Sequence, residues 1–280
     1  MAGMRIAADE CRRWIARLDL TFERRRESTI LSQNRHNGPL RLQRPFYPEE
    51  GVCHAYVLHP PGGVVGGDRL TLNAVVEEEA AALITTPGAT KFYRSLKDTA
   101  LQENFLTVQS NGCMEWLPQE TILFPGANAR TVTHIQLDRH SSFLGWEVVC
   151  FGLPGCDQPF HYGTADLTLD VQREDVPMFR DRVRINGESG LNRPAGLRGF
   201  SVCGTFLAAG CDLKMLDPLR RLFEDKADRL FGITLVEDLL VARYLGHASF
   251  QAKALFQKLW AWLRDPLLGR KACPPRIWST

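Results

Sequence analysis

Between about Trp14 and Val171, apolar residues recur with period two in short runs, and no helical pattern long enough to join parallel strands comes between them. In Arg17-Leu-Asp-Leu-Thr-Phe22, Leu18, Leu20 and Phe22 share one face of a strand. The same alternation returns in Leu70 to Val76 and in Asn104 to Gln109. It returns again in Thr164 to Val171, where Ala165, Leu167, Leu169 and Val171 coincide. Asn37-Gly38, Pro87-Gly88, Asn111-Gly112 and Asn186-Gly187 supply turns between the runs. The pattern predicts a mainly β fold: a many-stranded superhelical or sandwich-like sheet with a small C-terminal helical part.

The tail changes character. Asp217-Pro218 leads into a helical stripe of Leu219, Leu222 and Phe223. A stronger helix is predicted from Ser249, as cap, to about Arg264, with Ala252, Leu255, Phe256, Leu259 and Leu263 on its apolar face. Asp265-Pro266 should end it, because the residue before a proline disfavours the α region. The segment Thr234 to Tyr244 reads as strand. No linker divides the chain, so residues 1–280 are expected to form one domain, β-rich over about 14–210 and mixed over about 211–280.

Composition narrows the function classes. A net charge of +2 on 280 residues gives no electrostatic reason to expect a nucleic-acid or membrane partner. No run approaches a membrane span in length, and the first ten residues lack the apolar stretch of a secretory signal, so a cytoplasmic location is expected. Eight cysteines in a chain of this size are then expected to be free thiols, mostly buried as small hydrophobes. They are too widely spaced for a structural zinc site.

Two segments stand out chemically. In His59-Pro-Pro-Gly-Gly-Val-Val-Gly-Gly-Asp68, four glycines fall within six residues. The spacing fits neither a Walker A loop nor a dinucleotide fingerprint. It suits a tight crossover that tolerates no side chains, or a loop displaying His59 or Asp68. Thr85 to Arg94 is the second; its Lys91 and Arg94 suit an anion or, preferably, a protein contact. Glu115, Glu120 and Glu147 lie among apolar neighbours. A buried carboxylate must pair with a cation, become protonated or meet water, so each is either an ordinary ion pair or wet face, or part of an internal polar passage. No hydrolase motif is present, and the expectation is a protein that is not an enzyme.

In order along the chain, Asn37 to Pro48, His59 to Asp68, Thr85 to Ser95, Glu115 to Ile122 and Pro274 to Thr280 together resemble the urease accessory protein UreD family, called UreH in some bacteria. The resemblance implies a mainly β urease maturation factor without catalytic activity. It would bind apo-urease on one side and UreF on the other, reach the GTPase UreG through UreF, and admit a homodimer within the complex. It also implies an internal passage for transient Ni²⁺, with no tightly bound cofactor. Asp68 matches a family aspartate, and Glu115, Glu120 and Glu147 match acidic positions; with His59 they are the candidate passage contacts. A conduit needs weak sites: at an association rate near 10⁷ M⁻¹s⁻¹, a nanomolar site would release only about 0.01 ions per second. Sparse carboxylates and a histidine suit this better than a thiolate cluster. Leu153 and Asp157-Gln158 depart from the family pattern, which commonly has arginine and Gly-Glu there.

Overall fold

The computed structural model describes residues 13–223 and 230–279. A hairpin of β1 (Ile15–Arg25) and β2 (Ser28–Asn37) is followed by β3 (Arg41–Leu42) and β4 (Cys53–Leu58). The chain then winds in coils. Strands β5 (Arg69–Val76), β6 (Ala81–Thr85) and β7 (Thr90–Phe92) make one turn, and β8 (Ala100–Val108), β9 (Cys113–Leu117) and β10 (Thr121–Leu123) repeat it. The third turn has β11 (Asn128–Leu137) and a long β12 (Ser142–Leu153), after which come β13 (Gln158–Pro159), β14 (Thr164–Arg173) and β15 (Val176–Asn186). A short α1 (Gly187–Asn192) precedes β16 (Val202–Ala209), α2 (Leu213–Leu222), β17 (Leu230–Val236), β18 (Leu239–Gly246) and α3 (Ser249–Leu268).

Each of the first two coils gives one strand to the first sheet and two, one long and one short, to the second, so neighbours from successive coils pair in parallel. The first sheet runs β15-β14-β11-β8-β5-β1-β2, with antiparallel strands only at its two ends. The second runs β17-β18-β16-β12-β9-β6-β4-β3. The far half of β12 leaves β9 and pairs with β10, which in turn pairs with β7. This is the superhelical arrangement that the period-two runs predict.

The predicted faces hold. Leu18, Leu20 and Phe22, and likewise Ala165, Leu167, Leu169 and Val171, are buried between the sheets. The second sheet is covered on both sides, which is why β6 reads as an unbroken apolar run. Its Ala82 and Ile84 face the first sheet, while Ala81 and Leu83 face α3. β12 alternates in the same way. Phe143, Val149 and Phe151 point between the sheets, and Leu144, Trp146 and Val148 point toward the helix. Glu147, in step with Phe143 and Val149, therefore projects into the space between the sheets.

The glycine-rich loop packs closely against its neighbours. A Cβ on Gly66 would lie 2.0 Å from Ser95 Oγ and 2.7 Å from the Asp98 carbonyl, and Gly67 holds φ +90°. Three boundaries differ from expectation. α2 begins at Leu213, where the Asp212 side chain accepts the Met215 N–H at 3.1 Å, and Pro218 lies inside the helix. Leu219 is buried, but Leu222 is exposed. Ala248, not Ser249, caps α3, and the helix continues through Pro266 to a left-handed Gly269. Packing of Leu267 and Leu268 against the outer core overrides the bias of the pre-proline residue. Residues 234–244 fall in the antiparallel pair β17–β18, as strand.

Candidate functional site

A cavity of about 440 Å³ opens between the sheets beside the glycine-rich loop. Leu70, Gln102, Asn104 and Thr131 from the first sheet, Lys91 (on β7), Trp116 and Glu147 from the second, and His59 from the loop after β4 line it. Glu147 also lines a neck of about 30 Å³. Asp181, Val183, Cys203, Gly204 and Thr205 line that neck and, beyond it, a groove of about 530 Å³ between β15 and β17–β18. The small space thus shares Glu147 and Val149 with the cavity and those five residues with the groove.

Glu147 is held by a short relay. Asn104 Nδ2 donates to Thr133 Oγ1 at 3.0 Å, and that hydroxyl donates to Glu147 Oε1 at 2.5 Å. Burial pushes this carboxyl up to about 7; the Thr133 hydrogen bond opposes the rise and the Asp181 charge adds to it. Near neutrality the group is divided between acid and carboxylate. His59 is half-buried and its Nε2 has no hydrogen-bond partner. Burial lowers its pKa against the pull of Asp68, so the ring is mainly neutral at pH 7 with a lone pair available.

The other three candidates are engaged elsewhere. Asp68 accepts the backbone N–H groups of Trp14 at 2.9 Å and Val65 at 3.0 Å, tying the glycine-rich loop to the start of β1. Glu120 pairs with Lys253 of α3 at 2.5 Å and accepts from Ser249 at 3.3 Å. Glu115 lies on the opposite face of the second sheet from Glu147, entirely buried under α3. There it receives Arg264 Nη2 at 2.8 Å, Arg264 Nε at 2.9 Å and the Trp260 indole N–H at 2.5 Å. Of the five candidates, then, the fold brings His59 and Glu147 to one cavity and gives Asp68, Glu115 and Glu120 to its supporting walls.

Arg264 also grips Glu49, at 2.6 and 2.9 Å. Among the described residues Glu49, His54 and Cys273 are the one His/Cys/acid trio with ligand atoms within 4.8 Å of one another. The guanidinium already neutralises its carboxylate. Burial would raise Glu49, but hydrogen bonds from His54 and Arg264 and the Arg264 charge bring it down to about 2. The trio is therefore part of a buried ion-pair network.

The sequence reading missed Arg264, Glu49, Cys203 and Asp181. Arg264 fell in a region taken as the end of a helix, and only its i+4 spacing from the buried Trp260 hinted at an inward face. Lys91, which the sequence suits to an anion or, preferably, a protein contact, lines the cavity. The departures at Leu153 and Asp157-Gln158 lie in and beside the small β12–β13 hairpin, away from the residues that line these spaces.

Comparison with known proteins agrees with the geometry. The family model described as UreD urease accessory protein matches residues 15–279. The chain is 42% identical over 272 residues to the urease accessory protein UreD of Alcanivorax borkumensis, covering 95% of this chain and 92% of that one. It is 43% identical over 275 residues to the same-named protein of Dechloromonas aromatica, covering 95% of each chain. For Aliivibrio fischeri the figures are 39% over 277 residues, 95% and 96%. A match of this extent means that the chain belongs to the UreD urease accessory protein family.

Proposed function

We propose that this protein serves urease maturation in the cytoplasm as a non-enzymatic scaffold. It links apo-urease to the UreF–UreG nickel-delivery proteins, and Ni²⁺ passes through it between the sheets. The observation that carries this reading is the shared lining. Glu147 borders both the cavity and the neck, while Asp181, Cys203 and Thr205 border both the neck and the groove. An ion entering at the His59 side would meet a neutral imidazole, then a carboxyl near half-protonation, then Asp181. Each offers one or two donor atoms, too few to hold Ni²⁺ for long. Asp68, Glu115 and Glu120 act in this reading by keeping the walls in place, and apolar packing on either side would keep competing chelators out.

The test is Glu147→Gln in cells that assemble urease. The expected result is an intact complex with UreF, UreG and apo-urease, recovered by affinity purification, together with several-fold less nickel in urease. Loss of the complex, or normal nickel content, would count against Glu147 as a passage contact. Normal urease activation in a strain lacking the whole protein would remove the maturation role itself. An adaptor through which no metal passes is the second reading. It is favoured by the engagement of Asp68, Glu115 and Glu120 with backbone amides, Arg264 and Lys253, and it predicts normal nickel content in Glu147→Gln.

A further inference from the structure

We propose that the Arg243–Asp181 ion pair is a latch that shuts the groove end of the neck and rejects cations there until it is displaced; the proposal rests on the passage reading above. Asp181 belongs to β15, the outermost strand of the first sheet, and Arg243 to β18 of the second. No backbone pairing joins these strands, so the side chains themselves bridge the mouth of the sandwich. Arg243 Nη1 lies 3.0 Å from Asp181 Oδ2, and its guanidinium carbon sits 5.7 Å from the centre of the Phe179 ring.

The location is what gives the pair a role. Asp181 lines the neck and the groove, while Arg243 lines the groove alone, so the pair stands where one space gives way to the other. Its guanidinium is held toward the last carboxylate before solvent. A divalent ion approaching from the groove meets a positive charge before any ligand, and one leaving the neck meets an aspartate already occupied. The latch opens by displacement of the guanidinium from Asp181. Exposure makes displacement easy, because Arg243 is about half exposed, at 53%, and such pairs are weakly held. Arg182 and Arg184 also line the groove, but both are paired with Asp166, which leaves Arg243 as the arginine committed to Asp181. Once Arg243 swings away, Asp181 becomes a free carboxylate in sequence with Glu147.

Cys203 lines the neck and groove beside the latch and provides a probe. Full-length protein is treated with the cationic reagent 2-aminoethyl methanethiosulfonate or its anionic sulfonatoethyl counterpart, and modification is mapped by mass spectrometry. Exposed Cys156 sets the reference rate, and buried Cys150 and Cys211 report any general loosening. Burial pushes the Cys203 thiol up to about 12, and the Arg243 charge opposes that rise. Electrostatics alone, with no opening, therefore predicts slower labelling of Cys203 by the anionic reagent in Arg243→Ala, where a nearby positive charge is lost. The latch predicts the opposite sign: roughly tenfold faster labelling by the cationic reagent, a smaller gain for the anionic one, and the wild-type rate in Arg243→Lys. Unchanged or slower labelling, equal gains for both reagents, or a parallel rise at Cys150 and Cys211 would overturn the proposal. The passage reading fails separately, if Arg243→Ala opens the neck by this measure while urease nickel content is indifferent to both Arg243→Ala and Glu147→Gln.

Discussion

Glu115 and Glu147 stand on neighbouring strands of one sheet and meet opposite fates because they face opposite sides. Glu147, with a hydroxyl as its partner and no cation, keeps a carboxyl pushed up to about 7. Its folded pKa lies above the ordinary carboxylate value. The native state therefore takes up the extra proton, and the stability this adds is complete below about pH 4.5 and lost as pH rises through about 7. Glu147→Gln should flatten the stability profile over that window by up to about 3 kcal/mol. Thr133→Val, which removes the opposing hydrogen bond, should move the midpoint upward. Urea denaturation at half-unit pH steps measures both, and an unaltered slope in Glu147→Gln would contradict the buried, unpaired carboxyl. Glu49 behaves the other way, brought down to about 2 by hydrogen bonds from His54 and Arg264 and by the Arg264 charge, and Glu115 shares that buried guanidinium. Arg264→Met should cost about 3–5 kcal/mol, because it strands two buried carboxylates, and Glu115→Gln in the same chain should recover part of that loss. The sequence marks Glu147 as anomalous through its apolar neighbours. It could not show which carboxylate finds an arginine, since Arg264 lies 149 residues from Glu115 along the chain.

At the scale of elements, alternation made the outer strands legible and double-sided burial hid the inner ones. β1, β5 and β14 show the period of two because the first sheet has one dry face. β6 and β9 are buried throughout and have no period to read. Coil repetition also escaped notice, because the repeat is one of backbone path and hydrogen-bond register, which side chains of different size can satisfy. The glycine-rich segment was left open between a tight crossover and a functional loop. Gly63 and Gly66 answer to packing and Gly62 and Gly67 to positive φ, while His59 at its start reaches the cavity and Asp68 at its end staples it shut. Gly66→Ala forces Ser95 and the Asp98 carbonyl apart and should lower stability by about 1–3 kcal/mol. Gly88→Ala is the control, because a Cβ there meets nothing within 4 Å. Thermal denaturation of the two variants compares them directly. Equal midpoints would show that the loop can yield, and that the close approach does not require glycine.

For the whole molecule, the question is whether coils, antiparallel extension and C-terminal helix unfold together. The second sheet is common to both cores: one face packs on the first sheet, the other on α3. Strands β6, β9 and β12 place alternate residues in each core, so neither can be lost while the other keeps its geometry. We infer one cooperative unit from this shared wall, with the cavity between the sheets as one of its products. α3, through Phe256, Leu259 and Trp260, packs on the outer face of the second sheet, whose inner face carries Glu147. Phe256→Ala lies on the far side of that sheet from the cavity and should cost about 3–5 kcal/mol. Its decisive readout is hydrogen exchange at Leu72 and Leu106, buried in the first sheet and contacting only the inner core. In a cooperative molecule these amides exchange through global opening, and their protection falls by the same free energy as the denaturation midpoint records. Protection that stays at the wild-type level while α3 amides lose theirs would mean two independently stable layers. The walls of the cavity could then part without unfolding either one.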